Sequence, residues 1–183
     1  MTLKLSTLAI VLGLGMGLPQ IFGIANPEKF AASVRKFPRH IPIGVTLMLL
    51  GTAWFIWNLS QESISDFTTF KTPMMLGFAA IGIGACVFVQ DFLAVRGLAV
   101  VFLLLAKLMT DTGRPMLPQT HWVLVIQAWG YLLAIAGMWF TISPWRLRDL
   151  LNWATANEKR IRVGSAMRLT FGLFVAALGF IKF

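Results

Sequence analysis

The sequence predicts an all-α fold: a polytopic integral membrane bundle of six transmembrane helices with two cytoplasmic amphipathic interfacial helices. Three observations predict it. The composition is 57% hydrophobic and 13% charged, with a mean hydropathy of +0.77, where a soluble domain carries roughly 25% charged residues. The apolar residues fall into six runs, most of them long enough at ~1.5 Å rise per residue to cross a ~30 Å hydrocarbon layer as helices. Two further segments, each opened by a proline after Asn or Ser, mix apolar stripes with basic residues and so belong at a membrane surface. The 183 residues are expected to form one transmembrane domain, 1–183, because too little chain lies outside the apolar runs to build a soluble one.

The first span covers about residues 3–24. Its Gly13 and Gly17 form a G-x-x-x-G pair that permits close helix approach, and Pro19 is expected to kink the last turns. Lys4, the apolar core and the small residues Gly23 and Ala25 imitate a secretory signal, but the segment is expected to be a retained span. Asn26-Pro27-Glu28 then reads as a helix start, with a capping Asn, Pro at the first position and an acid near the positive end. The short helix it opens, about 27–37, places Phe30, Val34 and Phe37 on one stripe among Lys29, Arg35, Lys36 and Arg39, which predicts that it lies flat on the membrane.

The second span, about 41–59, closes with Trp54, Trp57 and Asn58 where an aromatic belt belongs. A polar linker from Ser60 to Pro73 sets Glu62 and Asp66 against Lys71. The third span, about 74–89, carries Gly77, Ala80 and Gly84 as an expected packing seam. It runs almost directly into the fourth, about 91–111, with Asp91 as the expected cap of a tight antiparallel hairpin. Gly113, Pro115 and Pro118 predict an irregular connection to the fifth span, about 122–142. Ser143-Pro144 opens the second flat helix, about 144–160, with Leu147, Leu150, Leu151 and Ala154 on one face. The sixth span is about 163–183. Its RLTFGLFVAALGFIKF resembles many short bacterial membrane segments and is too generic to carry a function.

Charge sets the expected orientation. If the odd spans descend, the inner side receives Lys29, Arg35, Lys36, Arg39, Arg96, Arg146, Arg148, Lys159, Arg160, Arg162 and Arg168. The outer side keeps only Lys4, Lys71, Lys107, Arg114 and Lys182. The positive-inside rule then puts both termini outside and both amphipathic helices in the cytoplasm, in a bacterial inner membrane. The net charge of +9 is read as attraction to anionic headgroups at the cytoplasmic face, with no nucleic acid as partner. The single cysteine, Cys86, provides neither a disulfide framework nor a thiolate metal site.

The fourth span is the one apolar run with charges inside it. Arg96 and Lys107 stand eleven residues apart, hence within about 20° on the helix surface and ~16 Å along its axis. A cation inside a span costs ~2.5–3.5 kcal/mol on insertion scales and so marks a pathway or a bound anion unless it snorkels. Both stand near an end of the span and can snorkel to headgroups. Lys107 is the better site candidate, because Asp111 is its i,i+4 partner and Gln127 reaches the same outer depth. The anion or headgroup contacts to test are therefore Arg96, Lys107, Asp111, Arg114 and Gln127.

His40 and His121 lie at opposite ends of their spans, a geometry unsuited to a haem held between two histidines. No nucleophile elbow, phosphate loop, zinc spacing or carboxylate dyad is present. The expectation is a non-catalytic integral membrane subunit or scaffold, without cofactor or metal, that associates with other membrane proteins or with itself. The alternative is a small-solute transporter or channel with its site around Lys107 and Gln127. A lipid-modifying enzyme using Lys107, Asp111, Arg114 and His121 ranks third.

Overall fold

The structure, a computed structural model, describes residues 4–62 and 70–183. Among them there are only helices and turns. Eight α-helices follow in order: α1 (Leu5–Ala25), α2 (Pro27–Lys36), α3 (Ile41–Gln61), α4 (Lys71–Phe88), α5 (Leu93–Gly113), α6 (Val123–Ile142), α7 (Trp145–Ala154) and α8 (Glu158–Ile181). Single 3-10 turns at Phe37–Arg39 and Arg114–Met116 follow α2 and α5. Six helices, α1, α3, α4, α5, α6 and α8, are long and apolar enough to cross a membrane. The linker residues Ser63 to Thr69, with Asp66, lie outside the described residues, as does the first residue of the expected first span, Leu3.

The chain packs as two compact units. The first comprises Met1–Lys36, Leu105–Ala134 and Arg148–Phe183. Here α1 and α8 run antiparallel over most of their length. Gly13 and Gly172 make that approach possible: a Cβ on Gly13 would meet the Gly172 carbonyl oxygen at 2.5 Å and the Ala176 amide at 2.7 Å, and one on Gly172 the Gly17 backbone at 2.9 Å, whereas one on Gly17 would make only ordinary contact, 3.6 Å from Leu169. Backbones this close exclude a side chain at Gly13, the use expected of the G-x-x-x-G pair, but not at Gly17. Leu5, Leu8 and Ala9 of α1 join Val175 of α8, Met109 of α5 and Val123 and Ile126 of α6 in one buried cluster. Trp129 meets Phe171 edge-on at 5.4 Å between ring centroids. α1 stays helical through Pro19.

At Asn26 the backbone leaves helical geometry (φ −133°, ψ 72°), so α2 is not a straight continuation of α1. The Asn26 carbonyl accepts the first α2 bond from Phe30, and Pro27 and Glu28 follow as the proline-first, acid-first start that the sequence predicts. Pro27 and Ala31 are buried and Phe30 and Val34 half-buried, a stripe at i, i+3, i+4, i+7 turned toward α1 and α8. Phe30 meets Phe22 edge-on.

The helix opened by Ser143-Pro144 is shorter than expected. α7 stops at Ala154, and Lys159, Arg160 and Arg162 belong to the first turns of α8, which starts at Glu158 rather than near 163. The break has a local cause. The Thr155 hydroxyl donates back to the Leu151 carbonyl, Asn157 is extended (φ −135°, ψ 147°), and Glu158 supplies the acid that a helix N-terminus favours, 3.6 Å from Arg162 one turn on. Hydropathy alone placed the start of the span where the charges end. The helix begins earlier because its polar first turn needs no lipid.

The second unit comprises Phe37–Leu104 and Ile135–Leu147. In it α3 lies against α4 and against the first turns of α5. Gly44 faces Leu93 and Ala94, Gly97 faces Leu47 and Met48, and Gly51 faces Val100. From α6, Gly137 faces Ala99 and Leu103. α4 meets α3 through Gly82, which rests on the Thr52 side chain, and through Phe78 against Phe55 at 4.8 Å. The expected seam Gly77, Ala80, Gly84 is therefore not the packed face. Gly77 has no neighbour within 4 Å, Gly84 meets only Phe88 of its own helix, and Ala80 is exposed. Gly82 lies about 140° around the helix from Gly77, and Met75, Ala79 and Cys86 share its side. α4 also begins at Lys71 rather than at residue 74, and the Lys71 ammonium donates to the Ser60 and Glu62 carbonyls, joining the two ends of the linker.

The turn from α4 to α5 takes the four residues between Phe88 and Leu93, as short as expected, but Asp91 is not its cap. Phe92 holds that position at φ 54°, and its carbonyl accepts from Val95 and Arg96. A left-handed aromatic residue is uncommon, and the Arg39 guanidinium stands 5.8 Å over its ring.

Candidate functional site

The charged residues of α5 fall in different units, Arg96 in the second and Lys107 in the first, and each is described in its own surroundings. The Lys107 ammonium donates to the Asp111 carboxylate at 2.7 Å, with the two side chains 45% and 49% exposed. This is the i,i+4 pair that the spacing predicts. Half-exposed pairs of this kind contribute little, about 0.3–0.5 kcal/mol in water. Gln127 is buried, 7% exposed, and its side chain lies against Gly113, its amide nitrogen 3.5 Å from where a Cβ there would stand. Gly113 thus lets α6 approach the last turn of α5 with a polar side chain between them. Arg114 is exposed in the 3-10 turn beyond, and His121 is exposed before α6.

Arg96 stands in the first turn of α5, half-buried, and its Nε is buried without a hydrogen-bond partner. His40, expected only as the start of the second span, caps α3: its Nδ1 accepts from the Ile43 amide at 3.4 Å.

Two polar side chains in the first unit escaped the sequence reading. Gln20, 9% exposed, keeps its Oε1 without a partner, and so does the Oγ of fully buried Ser165. Ser165 rests against Gly23 across the α1–α8 crossing. Arg168, one turn further on, folds its Nε onto the Gly164 carbonyl at 3.0 Å. The signal for Gln20 was available, since it is a polar residue directly after Pro19 in an apolar run.

The other unforeseen feature joins segments 120 residues apart. Arg35 of α2 donates from Nε to the Thr155 hydroxyl at 2.8 Å and from a terminal nitrogen to the Thr155 carbonyl at 2.6 Å. That carbonyl lies just past the end of α7, where last-turn carbonyls lack helical partners and carry the negative end of the helix dipole. Arg160 approaches the same end, 5.1 Å over the Trp153 ring and 3.5 Å from the Trp153 carbonyl. Among the described residues no group of three His, Cys, Asp or Glu side chains stands close enough to hold a metal ion. No family model, curated protein or solved structure matches this chain.

Proposed function

We propose that the chain is a non-catalytic integral membrane subunit or scaffold that associates with other membrane proteins or with itself. Its place would be a bacterial inner membrane, with both termini outside and α2 and α7 lying as interfacial helices on the cytoplasmic face beside anionic headgroups. The observation that carries the reading is α4. Of its eighteen residues only Gly82 is buried, and the line opposite its packed side runs Gly77, Ile81, Gly84, Phe88, with Ile81 67% and Phe88 86% exposed. Lipid rewards large apolar side chains there. Glycine on such a face is useful where another helix backbone approaches closely.

Purification in mild detergent tests it: a protein, or a second copy, is expected to co-migrate in fixed ratio. Gly77→Ile with Gly84→Ile should abolish that association while leaving the monomer's unfolding midpoint in place. A chain that migrates alone, with no cross-link from a cysteine at Gly77, would end the subunit reading.

A transporter is the second reading, favoured by one observation, the buried Gln127 amide in the same unit as the Lys107–Asp111 pair. Lys107→Met separates the two. A scaffold should lose less than about 1 kcal/mol of stability, because the pair is half-exposed, whereas a transporter should lose uptake at unchanged amounts of folded protein.

A further inference from the structure

We propose that α2 and the α7–α8 corner form a single cationic surface that holds the phosphates of anionic phospholipids through Lys29, Lys36 and Lys159. The proposal rests on the interfacial reading of α2 and α7 beside anionic headgroups and adds the residues that hold the headgroup phosphates. Lys29 and Lys36 are seven residues apart on α2, hence on one face, and both are exposed on the side opposite buried Pro27 and Ala31. Lys159 is exposed in the first turn of α8. Among the described residues none of the three has an ion pair. The nearby cations are already engaged: Arg35 on Thr155, Arg160 on Trp153 and Arg162 with Glu158.

Two facts join these lysines into one surface at headgroup depth. Arg35 is bonded twice to Thr155, three residues before α8 begins, so α2 and the α8 start are held together rather than left as separate basic tails. The 21 residues of α1 span about 31 Å, roughly one hydrocarbon thickness, so α2 begins where the acyl chains end. Exposed Ile21, Phe22, Val163 and Met167 mark the apolar side of that boundary on both helices. A cation beside a leaflet is drawn to phosphate, about fivefold in affinity for each Lys near the surface, and a free anion would lack the acyl chains that bring it to this boundary.

The test titrates the full chain in neutral detergent with phosphatidylglycerol, phosphatidylcholine and inorganic phosphate, reading the thermal unfolding midpoint. Phosphatidylglycerol alone is expected to raise it. Lys29→Ala/Lys36→Ala/Lys159→Ala should weaken half-saturation about a hundredfold, and the milder pair Lys29→Gln/Lys36→Gln about 25-fold. Lys4→Ala/Lys182→Ala, at the far ends of α1 and α8, should leave it unchanged. Equal protection by inorganic phosphate, an unaltered titration in the triple variant, or equal loss in the control variant would overturn the proposal. A fluorophore on Ser33→Cys, with Cys86→Ser, in vesicles containing brominated phosphatidylcholine reports the premise separately. A quenched fluorophore with no phosphatidylglycerol preference ends the headgroup site and spares the interfacial helix, while an unquenched one ends both.

Discussion

Gly13 and Gly15 stand two residues apart on α1 and carry opposite constraints. Gly13 faces the backbone of α8 at distances no Cβ tolerates, while Gly15 has nothing within 4 Å. Gly13→Ala should therefore lower stability by about 1–3 kcal/mol, the cost of overpacking. Gly15→Ala should be neutral or raise it by up to about 1 kcal/mol, because alanine lowers the entropy cost of the helix. Thermal unfolding of the two variants side by side reads the difference, and equal midpoints would remove the α1–α8 crossing as the anchor of the first unit. Both glycines are visible in the sequence. Which of them is packed follows from the face that α1 turns to α8, and the i, i+4 spacing of Gly13 and Gly17 pointed to it. The same logic misplaced the seam of α4, because Gly77, Ala80 and Gly84 are spaced as well as Gly13 and Gly17 are, and spacing does not say whether a partner stands opposite.

At the scale of elements, α2 and α7 are too short to be stable helices alone, since isolated helices below about 12–15 residues are marginal in water. Their stability comes from what they rest on: the Pro27, Phe30, Ala31, Val34 stripe for α2, and for α7 the closure of its end by Arg35 and Arg160. A hydrogen bond from a charged donor is worth about 1.5–3 kcal/mol, at the low end here because Arg35 is exposed. Arg35→Ala should accordingly speed amide exchange about tenfold in residues 27–36 and 148–156. The rates in the middle of α1 and α8 should not change. Mass spectrometry of exchanged peptides checks this, and equal acceleration throughout α1 would show that Arg35 supports the span and not the platform.

At the scale of the whole molecule, the proposed orientation rests on charge alone. Eleven of the sixteen basic residues fall on the α2 and α7 side under the proposed topology. Cysteines at Ser33 and Ala156, in a Cys86→Ser background, should be shielded from an impermeant thiol reagent in intact cells. One at exposed Gln119, in the α5–α6 connection, should react. Labelling at Ala156 with protection at Gln119 would invert the topology and carry the basic platform to the outer face.

Six long apolar helices, two short amphipathic ones, the proline start of α2 and the Lys107–Asp111 pair were all determined by the sequence, because each depends on residues within a few turns of one another. Helix length, stripe and i,i+4 pairing are local physics that hydropathy and spacing report directly. The tertiary structure decided what those rules cannot reach. It chose Gly82 over Gly77 as the packed glycine of α4, set Phe92 rather than Asp91 at the start of α5, and divided α7 from α8 at Thr155. It also joined Arg35 to Thr155 and left the Gln20 Oε1 and the Ser165 Oγ buried without partners. Each of these depends on which groups come to lie opposite across the fold, and a partner 120 residues away leaves no periodicity in the chain that meets it.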